Sequence, residues 1–412
     1  MAQIRRKTID PAARKYLTFA REHGIGLSWN YYERMLPQDG FGRMGLTCST
    51  CAMGPCRLNP FARTEEKTVC GFTTADLVYH RLMDWMEKPS YYTENHIESL
   101  LNAAREACAE KHKEGWDGTT SVGMGVLDPE RINICAEGVS IEALDELTEY
   151  AALHREVAEN AGARGFKIAL VGEICSRRDT VAAQGDIEFA MLTGLVDAYL
   201  IGNRTPNLGK NVAAHYHTAV MGTNLKPDEI LQRAAQAFQK RDPKKVRPDS
   251  ASAIIRVRSW AQIIRKTALY DKVVLIGGGS NVKQTVDEIL KNMVEKFADA
   301  GIGCMVFGNA AAALVKYDLI GEHVYCGSGY LSEALVYQEQ LKDKVAAIFI
   351  PELSCGDDIA RALTLGDAGF PVMTATELPV EGNHALADEI HKRILCGTKE
   401  DFDRKVHEII GY

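Results

Sequence analysis

The sequence predicts a multidomain α/β protein in which a helical N-terminal region precedes two parallel α/β units. Three observations predict it. Apolar residues recur at helical intervals in residues 11–17 and again from Thr74 to about Lys113. From about Gly118, short apolar runs alternate with helical patterns, as in a parallel sheet covered on both faces. A charged, proline-containing stretch at 240–252 interrupts this texture, which then begins again. With 412 residues the chain exceeds one ordinary core. The expected domains are 1–117, 118–245 and 253–412.

In chain order, the first region reads as a helix around Pro11-Ala-Ala-Arg-Lys-Tyr-Leu17, a cysteine-bearing loop, and two helices parted by Pro89. Leu77, Leu82 and Trp85 mark one of these helices, and Ile97, Leu100 and Leu101 the other. In the first α/β unit, strands are expected at 131–135, 167–172, 196–201 and 218–221, with helices at 141–161 and 186–192. In the second, strands are expected at 272–276, 303–307, 323–325, 346–350 and 371–374, with helices at 282–300 and 310–316.

Hydrophobic residues at 46% and charged residues at 25% describe a globular chain. A net charge of −7 and a pI near 5.9 argue against nucleic acid or an acidic membrane as partner. No apolar run reaches transmembrane length. The opening Met-Ala-Gln-Ile-Arg-Arg-Lys lacks the apolar segment of a signal peptide. The expected location is cytoplasmic, where thiols stay reduced and available to metals.

Four of the eleven cysteines, Cys48, Cys51, Cys56 and Cys70, fall at spacings C-x2-C-x4-C-x13-C. Iron–sulfur cubanes take four thiolates, and a compact run with a small-residue turn lets the backbone wrap the cluster. Gly54 and Pro55 suit that turn, and Arg57 can offset the negative charge of a thiolate cluster. The irregular spacing favours [4Fe–4S]; zinc is the rival, since C-x2-C also opens zinc sites. Metal-free structural thiols are the third reading.

Ligands of open α/β sheets bind beyond the carboxyl ends of the strands. The stretches there are Cys135-Ala-Glu137-Gly138, Gly172-Glu-Ile-Cys175, Gly202-Asn203-Arg204, Gly277-Gly-Gly279-Ser280-Asn281, Gly308-Asn309, Cys326-Gly-Ser-Gly and Leu353-Ser-Cys355-Gly-Asp-Asp358. If the two sheets face each other, these loops converge on one crevice. Cys175 and Cys355 stand beside small or polar residues, a better setting for a ligand than for packing. Cys108, Cys304 and Cys396 read as apolar filler. The triple glycine lacks the G-x-G-x-x-G spacing of a dinucleotide loop. His215 and His217 read as a surface pair.

The run Asp39-Gly-Phe-Gly-Arg-Met-Gly-Leu-Thr-Cys48-Ser-Thr-Cys51-Ala-Met-Gly-Pro-Cys56-Arg57, with Cys70-Gly71, resembles the N-terminal cluster region of the anaerobic nickel–iron carbon monoxide dehydrogenases. Hybrid-cluster proteins are the wider relatives. Asn133-Ile-Cys-Ala-Glu-Gly-Val-Ser140, Leu170-Val-Gly-Glu-Ile-Cys175, Ala190-Met-Leu-Thr-Gly-Leu-Val-Asp197, Gly308-Asn-Ala-Ala-Ala-Ala-Leu314 and Leu353-Ser-Cys355 follow in that family's order. The chain is much shorter than a usual member, so it reads as a compact form.

The resemblance implies a helical cluster domain, two Rossmann-like domains and a homodimer. It implies an electron-relay [4Fe–4S] cluster on Cys48, Cys51, Cys56 and Cys70. The family's dimer-bridging cubane would use positions 39 and 47, which are Asp and Thr here, so that cluster is not expected. Of the six ligands of the family's nickel–iron–sulfur centre, only Cys175 and Cys355 are matched. Glu137-Gly138-Val139 holds no His, and Asn203, Gly279 and Asn309 replace cysteines. Of the family's proton-relay histidines only His96 remains.

The expectation is an iron–sulfur oxidoreductase with an altered metal centre near Cys175 and Cys355, nickel not being expected. Cys135, Cys326 and Glu137 are further candidate ligands, Glu137 and His96 candidate proton carriers. A ferredoxin-like protein is the expected electron partner. The alternative is a non-catalytic electron-transfer, assembly or small-molecule-sensing protein on the same scaffold.

Overall fold

The computed structural model describes residues 10–49, 54–62, 64, 66–88, 95–109, 115–174, 177–181, 186–202, 209–278, 284–353, 356–376, 378, 384–397 and 399–411. Two short strands, β1 (Thr47–Cys48) and β2 (Cys56–Arg57), pair antiparallel near the N-terminus. The other described strands form one sheet. Its first half holds β3 (Gly118–Val122), β4 (Ile132–Glu137), β5 (Phe166–Val171), β6 (Thr180–Val181), β7 (Val196–Ile201) and β8 (Ala219–Gly222). Its second half holds β9 (Ala253–Arg258), β10 (Val273–Ile276), β11 (Gly303–Phe307), β12 (Val324–Gly327), β13 (Val345–Phe349), β14 (Val372–Thr374) and β15 (Ile394–Cys396).

The strand order is β15-β14-β13-β10-β11-β12-β9-β3-β6-β5-β4-β7-β8. Counted from β4, the first half runs third, second, first, fourth, fifth; counted from β10, the second half repeats this and adds a sixth. That is the Rossmann order, and the fold class predicted from the sequence is the one observed. All pairs are parallel except β3 with β9, which run antiparallel and join the halves. Each half hangs on the carboxyl end of its joining strand, through Val122↔Thr180 on one side and Gly327↔Arg258 on the other.

Every strand expected from the sequence is present to within two residues at either end. β3, β6, β9 and β15 were not anticipated. β3 reads Gly-Thr-Thr-Ser-Val, too polar to stand out as a strand. β9 alternates exposed and buried positions, with Ile254 78% exposed, so it carries no continuous apolar run.

The helices cover both faces. In the first half, Pro11–Glu22 and Asp186–Leu192 enclose one core with Cys135, Phe189 and Tyr199. Ile141–Leu153 and Pro227–Phe238 enclose the other. In the second half, Thr74–Trp85, His96–Ala109 and Gly356–Asp367 cover one face. Gln284–Asp299 and Lys399–Ile410 cover the opposite face. The N-terminal helices are thus shared between the two halves. Where Gly356 meets the end of Thr74–Trp85, a Cβ would fall 1.6 Å from the Trp85 carbonyl oxygen, so only glycine permits the approach.

Asp197, fully buried on β7, ties the first half together. It accepts from the Asn133 backbone N–H at 2.7 Å, from Arg241 Nη2 at 2.6 Å and Nε at 3.2 Å, and lies 2.8 Å from His217 Nε2. His217 is therefore a buried partner of this carboxylate, which corrects its reading as part of a surface pair. Removing one member of a buried ion pair strands the other charge. Arg241→Met should lower stability by about 3–5 kcal/mol in denaturant titration.

Candidate functional site

The cysteine run folds into a small hairpin. Leu46 and Leu58, both buried, anchor it through a 3.0 Å bond from Leu58 N–H to the Leu46 carbonyl. Cys48 and Cys56 are direct cross-strand partners. Opposed residues of an antiparallel pair share a face with Cα atoms about 5 Å apart. The hairpin therefore brings together two thiols eight residues apart in sequence. The Arg57 guanidinium stacks 4.5 Å from the Phe41 ring centre.

Cys70 sits in a separate turn, closed by Thr68 N–H to the Phe72 carbonyl and Gly71 N–H to the Thr68 carbonyl, both 2.9 Å. The Thr68 hydroxyl lies 3.3 Å from Cys70 Sγ. Cys51 lies outside the described residues. Among the described residues, no three His, Cys, Asp or Glu side chains gather to hold a metal ion. Asp39 caps the helix Gly40–Arg43, accepting from Gly42 N–H at 2.6 Å. Its carboxylate thus has a structural partner.

His96 sits beside this region. Its Nε2 lies 3.2 Å from Asp76 Oδ1, and its ring packs 4.7 Å from Tyr79. Burial pushes Asp76 up, but the Thr73 backbone and hydroxyl donors, with His96, pull it net downward. His80, which the sequence reading overlooked, stacks 4.7 Å from Phe72 in the Cys70 turn, and burial holds its pKa down. Its spacing of four from Asp76 was the available signal.

The second feature is a crevice of about 70 Å³ where loops of both halves meet. The carbonyl of Gly308, just beyond β11, accepts from Ile174 N–H at 3.5 Å across the join. Glu173 contributes from the first half; Gly278, Asn309, Tyr330, Asp358 and Arg361 contribute from the second. Most of the loop stretches predicted at strand ends reach this crevice, but its described polar groups are carboxylates, an amide and a guanidinium. Arg361 Nη1 pairs with Asp358 Oδ1 at 2.8 Å, both nearly buried. Trp260 holds the wall: it stacks on Phe307 at 4.6 Å and donates through Nε1 to the Tyr330 carbonyl at 3.1 Å.

Glu137 ends β4 and accepts from the Tyr199 hydroxyl. Burial raises its pKa, the Tyr199 bond opposes this, and the nearby Glu173 carboxylate adds to the rise. Cys135 is fully buried on β4, facing the core that holds Tyr199, and burial keeps its thiol protonated. Cys326 is equally buried on β12, its thiol pushed up to about 12. Neither lines the crevice, and both stand in packing positions. Cys175, Cys355, Asn203 and Gly279 lie outside the described residues.

Glu333, which sequence reasoning also missed, braces the crevice wall by accepting from Tyr330 N–H at 2.8 Å. Burial pushes its pKa up to about 7. The folded state therefore holds a proton that the unfolded state has released, and stability falls as pH rises from about 4.5 to about 7. Glu333→Gln keeps the acceptor and should flatten that slope, which has a ceiling of about 1.4 kcal/mol per pH unit. Denaturant midpoints measured across this range check it.

No protein-family model matches the chain. Carbon monoxide dehydrogenase 1 of Methanosarcina mazei is 48% identical over 75 residues, 18% of this chain and 12% of that protein. Carbon monoxide dehydrogenase 2 of Carboxydothermus hydrogenoformans is 42% identical over 84 residues, 20% of this chain and 13% of that protein. The sequence match thus spans only a small part of these relatives. Among solved structures, carbon monoxide dehydrogenase IV of Carboxydothermus hydrogenoformans superposes with a TM-score of 0.74 at 17% identity, over 98% of both chains. A nickel-free carbon monoxide dehydrogenase of Thermococcus sp. AM4 gives 0.73 at 14% identity, over 98% of this chain and 97% of that one. The chain is related in sequence to the carbon monoxide dehydrogenases over about a fifth of its length and shares their fold over nearly all of it.

Proposed function

We propose that this chain is an iron–sulfur oxidoreductase of the carbon monoxide dehydrogenase type, with a [4Fe–4S] cluster on Cys48, Cys51, Cys56 and Cys70. The observation that carries this reading is the cross-strand pairing of Cys48 with Cys56. Thiolates are the donors such a cluster requires, and a bound cluster supplies one-electron transfer. Arg57 offsets its charge, and the Thr68 hydroxyl is placed to donate to the Cys70 sulfur. Asp39 and Thr47 are not cluster ligands, so no cubane bridges two subunits.

A homodimer and a ferredoxin-like electron partner accompany this reading. Tyr31, Tyr32, Met35 and Leu36, beside the hairpin in sequence and 41–69% exposed, give apolar surface for either contact.

The crevice takes the small-molecule step. A standard nickel–iron–sulfur centre does not fit its described donors, because amide and carboxylate oxygens are hard ligands. Two readings follow. In the first, Cys175 and Cys355 anchor an altered iron–sulfur centre there. The second is favoured by the Asp358–Arg361 pair and Glu173: the crevice binds a small polar molecule directly, with Glu137 and Glu173 holding or passing a proton.

Iron and sulfide analysis of the anaerobically purified chain separates them. One cluster gives about four irons per chain and two give about eight. Cys48→Ser or Cys56→Ser should abolish the visible iron–sulfur absorbance in the one-cluster case, and absorbance retained in both would sink the ligand assignment. Cys175→Ser with Cys355→Ser should halve the iron in the first reading and leave it unchanged in the second.

A further inference from the structure

A second pocket, of about 270 Å³, lies on the outer face of the first half. It sits at the amino-terminal ends of β4 and β5, whereas the crevice is at the carboxyl end of β5. Arg131, Arg155, Arg164 and Arg178 line it, together with Thr148, and no carboxylate is among the described lining residues. Ala151, Ala152, Phe166 and Ile168 form an apolar floor.

The arginines are held from outside the pocket. Arg131 pairs with Asp128 at 3.2 Å, Arg155 with Glu159 at 2.9 Å and Arg164 with Glu130 at 2.5 Å. Arg178 donates to Asp145 and, at 3.2 Å, to the Thr148 hydroxyl. Asp145 is shared with Arg177 at 3.8 Å. The side chain of Arg178 is only 6% exposed while its partner Asp145 is 42% exposed. A buried charge facing a half-solvated partner stabilises a fold poorly. The same charge at the bottom of a pocket is suited to an incoming anion.

We propose that this pocket binds a phosphorylated small molecule with a flat apolar body, its phosphates on the four arginines and its body on Phe166, Ile168 and the two alanines. Guanidinium forks match phosphate oxygens in pairs. Four of them suit more than one phosphate group. Small alanine side chains on the helix wall leave room for a ring against Phe166. This assignment is independent of the crevice and of any metal.

Calorimetry on the full, anaerobically purified chain at low salt tests it with three probes: ADP, pyrophosphate and adenosine. ADP should bind at one per chain, pyrophosphate at least threefold more weakly, and adenosine not measurably. Binding should weaken further as salt is raised. Arg155→Gln with Arg164→Gln, both at exposed positions, should weaken ADP at least tenfold and leave the thermal midpoint unchanged. Arg178→Met should abolish binding; if it fails to fold, the exposed double variant decides. No ADP binding, adenosine binding as tightly as ADP, pyrophosphate equal to ADP, or a double variant equal to the parent overturns the assignment.

Discussion

Five antiparallel residue pairs between β3 and β9 hold the two halves in one sheet, and the crevice depends on them. In a flat sheet this join would send the carboxyl ends of the two halves to opposite edges. The Ile174–Gly308 contact shows those ends meeting instead. The sheet therefore bends sharply at the ladder, as twisted strands attached only at their ends allow. Gly123 and Gly125 let the returning segment at Ser250–Ala251 lie directly against the turn after β3. A Cβ on either glycine would fall 2.5–2.7 Å from that backbone.

The central strands were legible in the sequence because burial on both faces leaves a continuous apolar run. The joining strands were not, because β3 and β9 have one face open or polar, and the resulting alternation is weak over five or six residues. The convergence of loops was legible as position and less so as chemistry. Sequence reasoning chose cysteines and Glu137 at the strand ends and reached Asp358 only as part of a loop stretch, whereas Arg361 and Glu333 lie on helix faces whose orientation only the packing sets. Cys135 and Cys326 show the same limit. Each stands at the end of an apolar run beside a glycine-rich loop, and the parity of its strand turns it into a core.

The two chemical regions differ in kind. Sulfur gathers at the hairpin, and oxygen and guanidinium groups at the crevice. The helix Thr74–Trp85 connects them. It begins just after the Cys70 turn, capped by Thr73 and Asp76, and ends against Gly356, which opens the helix bearing Asp358 and Arg361. Twelve helical residues span about 18 Å. Its first turn carries Asp76 and its second His80, and its partner helix begins with His96.

The repeated strand order has a geometrical corollary. Two halves of like topology, joined edge to edge by antiparallel strands, are related by a pseudo-two-fold axis through the β3–β9 ladder. β5 and β11 are equivalent strands under that axis, and Ile174 and Gly308 follow them, so the contact across the join lies close to the axis itself. The crevice is therefore an axial cavity whose scaffold is nearly symmetric and whose chemistry is not. Among the described lining residues, Glu173 comes from one side, while the other supplies the paired Asp358 and Arg361. A molecule seated on the axis meets two different faces, and its orientation is set by this broken symmetry and not by the shape of the fold.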